Sequence, residues 1–263
     1  MTGGVKNTLG GRSAAKSAGP FMSVKMIAAL VIISVFSLGA LITLSGFADD
    51  LRDEHNGRAH ALSNSAIGYA GIVELLRAGG IEVILDRTEG SDLGSPDVLH
   101  VITVTAPYQI PDKDDLDEDV STLIVMPKWR VTEIKKQDGW VKQVPAPIGP
   151  TFGLFSVNTA LNKLSEDILM RRIDKDDGTR LYDLRSNERT LPDLKDTNIK
   201  HLQSLEGGSL VSVVRANGKT VLGRLPHSNI YILSDPDLLN TMGVSMKSRA
   251  RYARDLMTGL VDM

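Results

Sequence analysis

A serine and two aspartates stand together at Ser234-Asp235-Pro236-Asp237, directly after the apolar run NIYIL at residues 229–233. Carboxylates one residue apart at the exit of a strand have three uses. They can share a cation, they can act as acid and base beside a serine nucleophile, or they can accept the free N–H groups that open a helix. The sequence offers no third metal ligand at a recognisable spacing. Serine or aspartate as N-cap, with proline at the first helical position, needs no other partner. Capping is therefore the expectation, and a hydrolase using Asp235, Asp237 or Ser234 is the rival. Ser63-Asn64-Ser65 pose the same choice ahead of an amphipathic run. Thr105 with Pro107, and Lys128 with Trp129, each come after a strand-like run, and the latter pair is expected on the rim of a pocket. In open α/β sheets the pocket lies outside the carboxyl ends of the strands. The candidate ligand-binding set is thus Ser63, Asn64, Ser65, Thr105, Lys128, Ser234, Asp235 and Asp237, and no cofactor or metal is expected.

Other chemistries are excluded by what the chain lacks. There are no cysteines, which removes disulfides, thiolate nucleophiles and cysteine-ligated metal. No GxSxG elbow, GxGxxG turn or GxxxxGK[ST] loop occurs. The 5 histidines show no HxxxH or HExxH spacing. His60, His100, His201 and His227 read as surface or strand residues. The acidic run DKDDLDED at residues 112–119 lacks the central glycine of a calcium loop and reads as a solvated loop or helix start. A net charge of -2 gives no reason to expect nucleic acid as a partner.

Periodicity supplies the elements that carry these residues. Ile67, Ala70, Gly71, Val73, Leu75 and Leu76 keep helical spacing, with an N-cap in Ser63-Asn64-Ser65 and a stop at Gly79-Gly80. Residues 81–85 (IEVIL), 98–105 (VLHVITVT), 122–126 (TLIVM) and 229–233 read as strands, the last three as buried ones. Asn217-Gly218 between residues 210–214 and 220–225 predicts a type I′ hairpin. Residues 157–168 suggest a short helix, Pro145, Pro147 and Pro150 break regular structure, and residues 171–200 are polar and read as surface. A helix is expected from Asp235 through Leu238 and Leu239, and another in the last residues.

Residues 26–47 (MIAALVIISVFSLGALITLSGF) contain no charge. At about 1.5 Å per residue they can span a hydrocarbon core of roughly 30 Å. The alternatives are a buried core helix and a signal peptide cut near Gly46 or Ala48. Lys6, Arg12, Lys16 and Lys25 precede the run, and Asp49, Asp50, Asp53 and Glu54 come after it. The positive-inside rule then leaves the N-terminus in the cytoplasm and exports everything after the helix, to the periplasm of a bacterium.

Three segments carry a resemblance: SNSAIGYAGIVELLRAGGIEV at residues 63–83, LIVMPKW at 123–129 and ILSDPDLLNTMG at 232–243. Over roughly residues 50–245 the chain resembles the domain-of-unknown-function family 4350 of bacterial membrane proteins, with SDPDLLN the most specific element. The resemblance implies an N-terminal membrane helix before an α/β domain like that of class I glutamine amidotransferases. That domain would be a flavodoxin-like, mostly parallel sheet, here with an added β-hairpin. It also implies a second membrane helix beyond the third segment, which this sequence does not reach by Met263. Proximity to MoxR-type ATPases is a further implication, so proteins of a membrane complex linked to them are expected partners. Glutamine amidotransferase chemistry needs a cysteine, so the resemblance implies a domain without that activity. The expected organisation is a disordered basic cytoplasmic tail (1–25), a transmembrane helix (26–47), a juxtamembrane spacer (48–62), an α/β domain (63–245) and a helical tail (246–263) in the inner membrane. The expected function is non-catalytic binding of a protein or small ligand. A periplasmic hydrolase and a structural anchor of a membrane complex are the alternatives.

Overall fold

The computed structural model describes residues 24–53, 57–86, 97–137, 139–144, 151–173, 181–183, 199 and 201–261. The basic tail up to residue 23, the three prolines at 145, 147 and 150, and most of the polar stretch 171–200 lie outside the described residues. The chain divides into two compact units, Met1–Asp49 and Asp50–Met263. Helix α1 (Val24–Asp53) covers the whole uncharged run and continues into the expected spacer. Its described side chains, residues 25–41, are all exposed. Among the described residues, no helix is long and apolar enough to cross a membrane.

The second unit is α/β, built on one eight-stranded mixed sheet. Strands β1 (His100–Thr103) and β2 (Thr122–Val125) precede a small hairpin of β3 (Val131–Glu133) and β4 (Val141–Gln143). Helix α3 (Leu154–Leu161) leads to β5 (Leu169–Ile173), β6 (Leu181–Asp183) and β7 (Leu202–Glu206). The expected hairpin is β8 (Val211–Ala216) and β9 (Lys219–Arg224), turned by Asn217 and Gly218 at φ 49° and 78°. Both residues of a type I′ turn need positive φ, which asparagine and glycine supply. Strand β10 (Ile230–Leu233) then enters the middle of the sheet.

The sheet runs β1-β2-β10-β9-β7-β5, with β8 on the other edge of β9 and β6 beyond it. The parallel part is limited to β1, β2 and β10, and the remaining pairings in this sheet are antiparallel. The expectation of a mostly parallel sheet is thus met only in the three strands that carry the candidate residues. The hairpin is no appendage either, because β9 pairs directly with β10.

Strict alternation in the central strands builds two cores. Leu123, Val125, Tyr231 and Leu233 face one side, against α2 (Ala70–Ala78) and α5 (Lys247–Val261). Ile124, Met126, Ile230 and Ile232 face the other, against α3. A two-residue side-chain period with both faces apolar requires cover on both sides of the sheet. Helix α5 supplies part of that cover through Tyr252, Ala253, Leu256 and Leu260, all fully buried. The C-terminal segment is therefore core and not a tail.

Several expectations need correction. Helix α2 begins at Ala70, so Ser63, Asn64 and Ser65 do not cap it. They form a turn in which Ser65 Oγ accepts from Gly68 N at 3.1 Å and Ser63 Oγ lies 3.0 Å from Ser65 Oγ. The end of α2 does fall at the glycines: Gly80, at φ 79°, lets Ile81 N–H reach back to Leu76 O at 3.0 Å. Residues 81–86 pair with no described strand, and Ile81 and Val83 simply pack against the core. Strand β1 is an edge strand with Val101 39% exposed, because β2 covers only one of its sides. The acidic run stays in solvent around a 3-10 turn, Lys113–Asp115.

Asp167 ties the turn before β5 to the loop before β8. Its carboxylate accepts from Ser165 Oγ at 2.5 Å, and from Ser209 N and Oγ at 3.0 and 2.6 Å. These donors, Ser165 first, lower its pKa from 3.8 to about 2. A depressed folded-state value stabilises the fold above the ordinary carboxylate range and loses that contribution as pH falls toward 2. Asp167→Asn should lower the denaturation midpoint at pH 7, and the gap from the unsubstituted protein should close as the pH approaches 2. A gap constant from pH 7 to 2 would refute the assignment.

Candidate functional site

The parallel strands end side by side. Thr103, Val125 and Leu233 are in register across β1, β2 and β10. The segments leaving these strands are therefore brought together: Thr105, Lys128 and the Ser234-Asp235-Pro236-Asp237 turn. Asp235 is extended, at φ -119° and ψ 110°, and accepts from Asp237 N at 3.0 Å through Oδ1. It caps a single 3-10 turn, Pro236–Leu238, in place of the expected longer helix. Asn240 then caps the next short helix, α4 (Thr241–Val244), with Oδ1 accepting from Gly243 N at 2.7 Å. Only glycine fits at 243, since an added Cβ would lie 1.9 Å from the Asp237 carbonyl oxygen.

Lys128 is not on a rim. It is 1% exposed, and its ammonium donates to Asp235 Oδ2 and Asp237 Oδ2, both at 2.7 Å. The same Asp235 oxygen accepts from Gln203 N on β7 at 2.9 Å. Asp237 Oδ1 accepts from the Trp129 indole N–H at 2.6 Å and from Asn240 Nδ2 at 2.7 Å. Every carboxylate oxygen of the pair is thus occupied. The ammonium also lies 5.0 Å from the centroid of the Trp129 ring. Among the described residues, no group of three or more potential metal ligands comes together. The lysine sits where the paired aspartates would otherwise invite a cation.

Two carboxylates against one ammonium leave an unbalanced buried charge. Burial, and then the neighbouring Asp237, raise the Asp235 pKa above the usual carboxylate range, against the opposing pull of Lys128. Tyr69 feels the same charges. Its phenol is held above its ordinary range by burial first, then by Asp237 and Asp235. Arg249 on α5 is 5% exposed. Burial lowers its pKa, while Asp237 and Asp235 act to restore it.

Ser234 faces inward. Its Oγ lies 2.6 Å from the Gln203 carbonyl and 2.9 Å from the Val221 carbonyl, at 0% exposure. A hydroxyl engaged in this way is closed to a substrate.

Beyond this cluster lies a crevice of about 360 Å³ at the carboxyl ends of the three parallel strands. Its walls include Arg58, Tyr69, Thr105, Tyr108, Trp129, Arg130, Phe152, Pro236 and Asn240. Of the expected set, Thr105 and Lys128 reach the crevice, Asp235 and Asp237 lie behind it, and Ser63, Asn64 and Ser65 stand apart from it. Arg58 and Arg130 carry no motif, Tyr69 lies within the 63–83 segment without marking itself out, and none of the three was legible as a site residue. The one available signal was position: Arg130 comes directly after LIVMPKW at a strand exit. No protein-family model, no curated protein and no solved structure matches the chain.

If the cluster is a structural lock, Lys128→Met should destabilise the fold by about 3–5 kcal/mol, because it strands two buried carboxylates. Equilibrium denaturation in urea measures this. A loss below about 1 kcal/mol, the range of surface pairs, would contradict the lock.

Proposed function

We propose that the chain is a single-pass membrane protein anchored by residues 26–47, whose exported α/β domain binds a ligand or protein in the crevice without catalysis. The absence of catalysis is carried by one observation: all the oxygens of Asp235 and Asp237 are engaged, and Lys128 is buried against them. A general base must lie within reach of a substrate proton, and both carboxylates are buried, at 0% and 2% exposure. A nucleophilic serine needs an adjacent base, and Ser234 is bonded to backbone carbonyls instead. The hydrolase alternative has no free group left in this cluster.

The anchor is supported by composition and exposure together. Residues 26–47 are uncharged, and apolar side chains point outward from α1, with Phe36 79% exposed. A helix that is apolar all round belongs in a core or a bilayer. The flanking charges support a cytoplasmic N-terminus. The resemblance to family 4350 supports the same order of anchor and domain, an amidotransferase-like ancestry for the crevice, and membrane-complex proteins linked to MoxR-type ATPases as partners. The crevice lies where open α/β sheets bind ligands, which supports its use as the binding site.

Two measurements test this reading. Alkaline phosphatase fused after residue 263 should be active and green fluorescent protein at the same place dark; the reverse pattern would overturn the orientation. Ser234→Ala should leave any turnover of p-nitrophenyl acetate by the purified chain at its background rate, whereas a fall of tenfold or more would restore the hydrolase.

A further inference from the structure

The crevice is one-sided in charge. Among the described residues its lining includes Arg58, Lys128 and Arg130 and no aspartate or glutamate. Lys128 is fully used by Asp235 and Asp237. Arg58 Nε lies 3.9 Å from Glu133 Oε1, a loose pair with both side chains more than half exposed. Arg130 differs from both. It is half-buried, it lies on the crevice wall, and its guanidinium makes no hydrogen bond or ion pair among the described residues. A half-buried guanidinium with no partner among the described residues is placed to receive an external anion, since desolvated charge is costly unless it is paired.

A second group supports the same reading. Tyr69 is 4% exposed and lines the crevice, and its hydroxyl makes no hydrogen bond among the described residues. Its phenol stays protonated over the physiological range because burial and the aspartates oppose ionisation. It can therefore donate and cannot compete as an anion. Apart from Thr105 and Asn240 the remaining wall is apolar or aromatic, with Trp129, Phe152 and the exposed Tyr108.

We propose that the crevice binds an organic oxyanion, a phosphate ester or carboxylate carrying an apolar body, with Arg130 as counter-charge and the Tyr69 hydroxyl as donor. This rests on the reading of the crevice as the binding site and adds the class of ligand. A guanidinium offers paired N–H groups that match such an oxyanion, and the aromatic wall receives the apolar body. Lys128 answers one of the two aspartate charges behind the site, so the arginine must outweigh what remains.

The chain has 2 tryptophans, so Trp140→Phe leaves Trp129 as a single reporter on the crevice wall. The full chain carrying this substitution, in nanodiscs of zwitterionic lipid, is titrated with hexyl phosphate, hexanoate and hexanol. A saturable change of Trp129 fluorescence is expected with at least one of the two anions, weakened by added salt, and none with hexanol at the same concentration. Arg130→Ala should raise the dissociation constant about tenfold or more at unchanged melting temperature, and Arg130→Lys should recover part of the loss. An equal response to hexanol, or an unchanged constant in Arg130→Ala, would overturn the anion inference while leaving the crevice as a binding site. No saturable response to any of the three would overturn both. Discs of anionic lipid separate two sources of the ligand. A Trp129 spectrum already shifted before any addition assigns the oxyanion to a lipid headgroup, and an unshifted spectrum that responds to hexyl phosphate or hexanoate assigns it to a soluble molecule.

Discussion

The fold turns on one buried ion cluster, in which Lys128 from the exit of β2 is held between Asp235 and Asp237 from the exit of β10. Ions of this kind cost several kcal/mol each to remove from water, and their attraction compensates only when the remaining donors and acceptors are also met. Here they are met from four directions. The Gln203 backbone on β7, the Trp129 indole, the Asn240 amide and the Asp237 N–H each fill a position on the carboxylates. The cluster therefore fixes more than a salt bridge. It sets the register of two parallel strands at their ends, anchors the antiparallel strand beside them, and holds the turn that leads into α4.

That constraint explains how the sheet can change character halfway across. Strands β1, β2 and β10 run parallel, while β9 runs against β10 and β7 against β9. At such a change the end of β10 and the start of β7 must meet without losing backbone partners. Gln203 does this with its side chain as well as its backbone, since its amide nitrogen donates to the Ser234 carbonyl at 2.7 Å. Ser234 returns a hydroxyl toward the Gln203 carbonyl. Reciprocal bonds of this kind favour one arrangement of the strands, although the Gln203 amide oxygen itself has no hydrogen-bond partner among the described residues. Helix α5 belongs to the core despite its polar outer face because Tyr252, Ala253, Leu256 and Leu260 pack into it.

The parts of the fold that were legible in the sequence are those whose signal is local. β2 and β10 announce themselves as short β-branched runs, and Asn217-Gly218 marks its hairpin because few other residues tolerate two positive φ values in succession. Gly80 marks the end of α2 for the same reason. The illegible parts depend on distant neighbours. Ser63-Asn64-Ser65 look like an N-cap in isolation, but His60 O takes the N–H of Tyr69 at 3.0 Å and delays the helix to Ala70. β1 reads as buried because its composition is that of β2, and only the absence of a described strand on its far side makes it an edge. For the site, the strand exits pointed to Thr105, Lys128, Asp235 and Asp237 individually. The pairing of Lys128 with both aspartates needs β2 and β10 to be neighbours, and nothing in their order along the chain, more than a hundred residues apart, requires that.

The same pairing decides what kind of site a strand-end crevice can become. A crevice whose floor carries free carboxylates or a free serine can move protons or form covalent bonds. Here the floor groups are buried and bonded to one another and to the neighbouring backbone, so under the proposed reading recognition falls to the walls. The walls differ in kind from the floor. Arg130 is unpartnered among the described residues, Tyr69 offers a hydroxyl, and Trp129 serves both parts: its indole N–H locks Asp237 while its ring lines the opening. A residue shared in this way couples ligand binding to the lock beneath, because any shift of the ring that a ligand imposes is opposed by a buried hydrogen bond of 2.6 Å. The Trp129 side of the crevice is thus fixed by the cluster beneath it, whereas Arg130 has no such tie among the described residues.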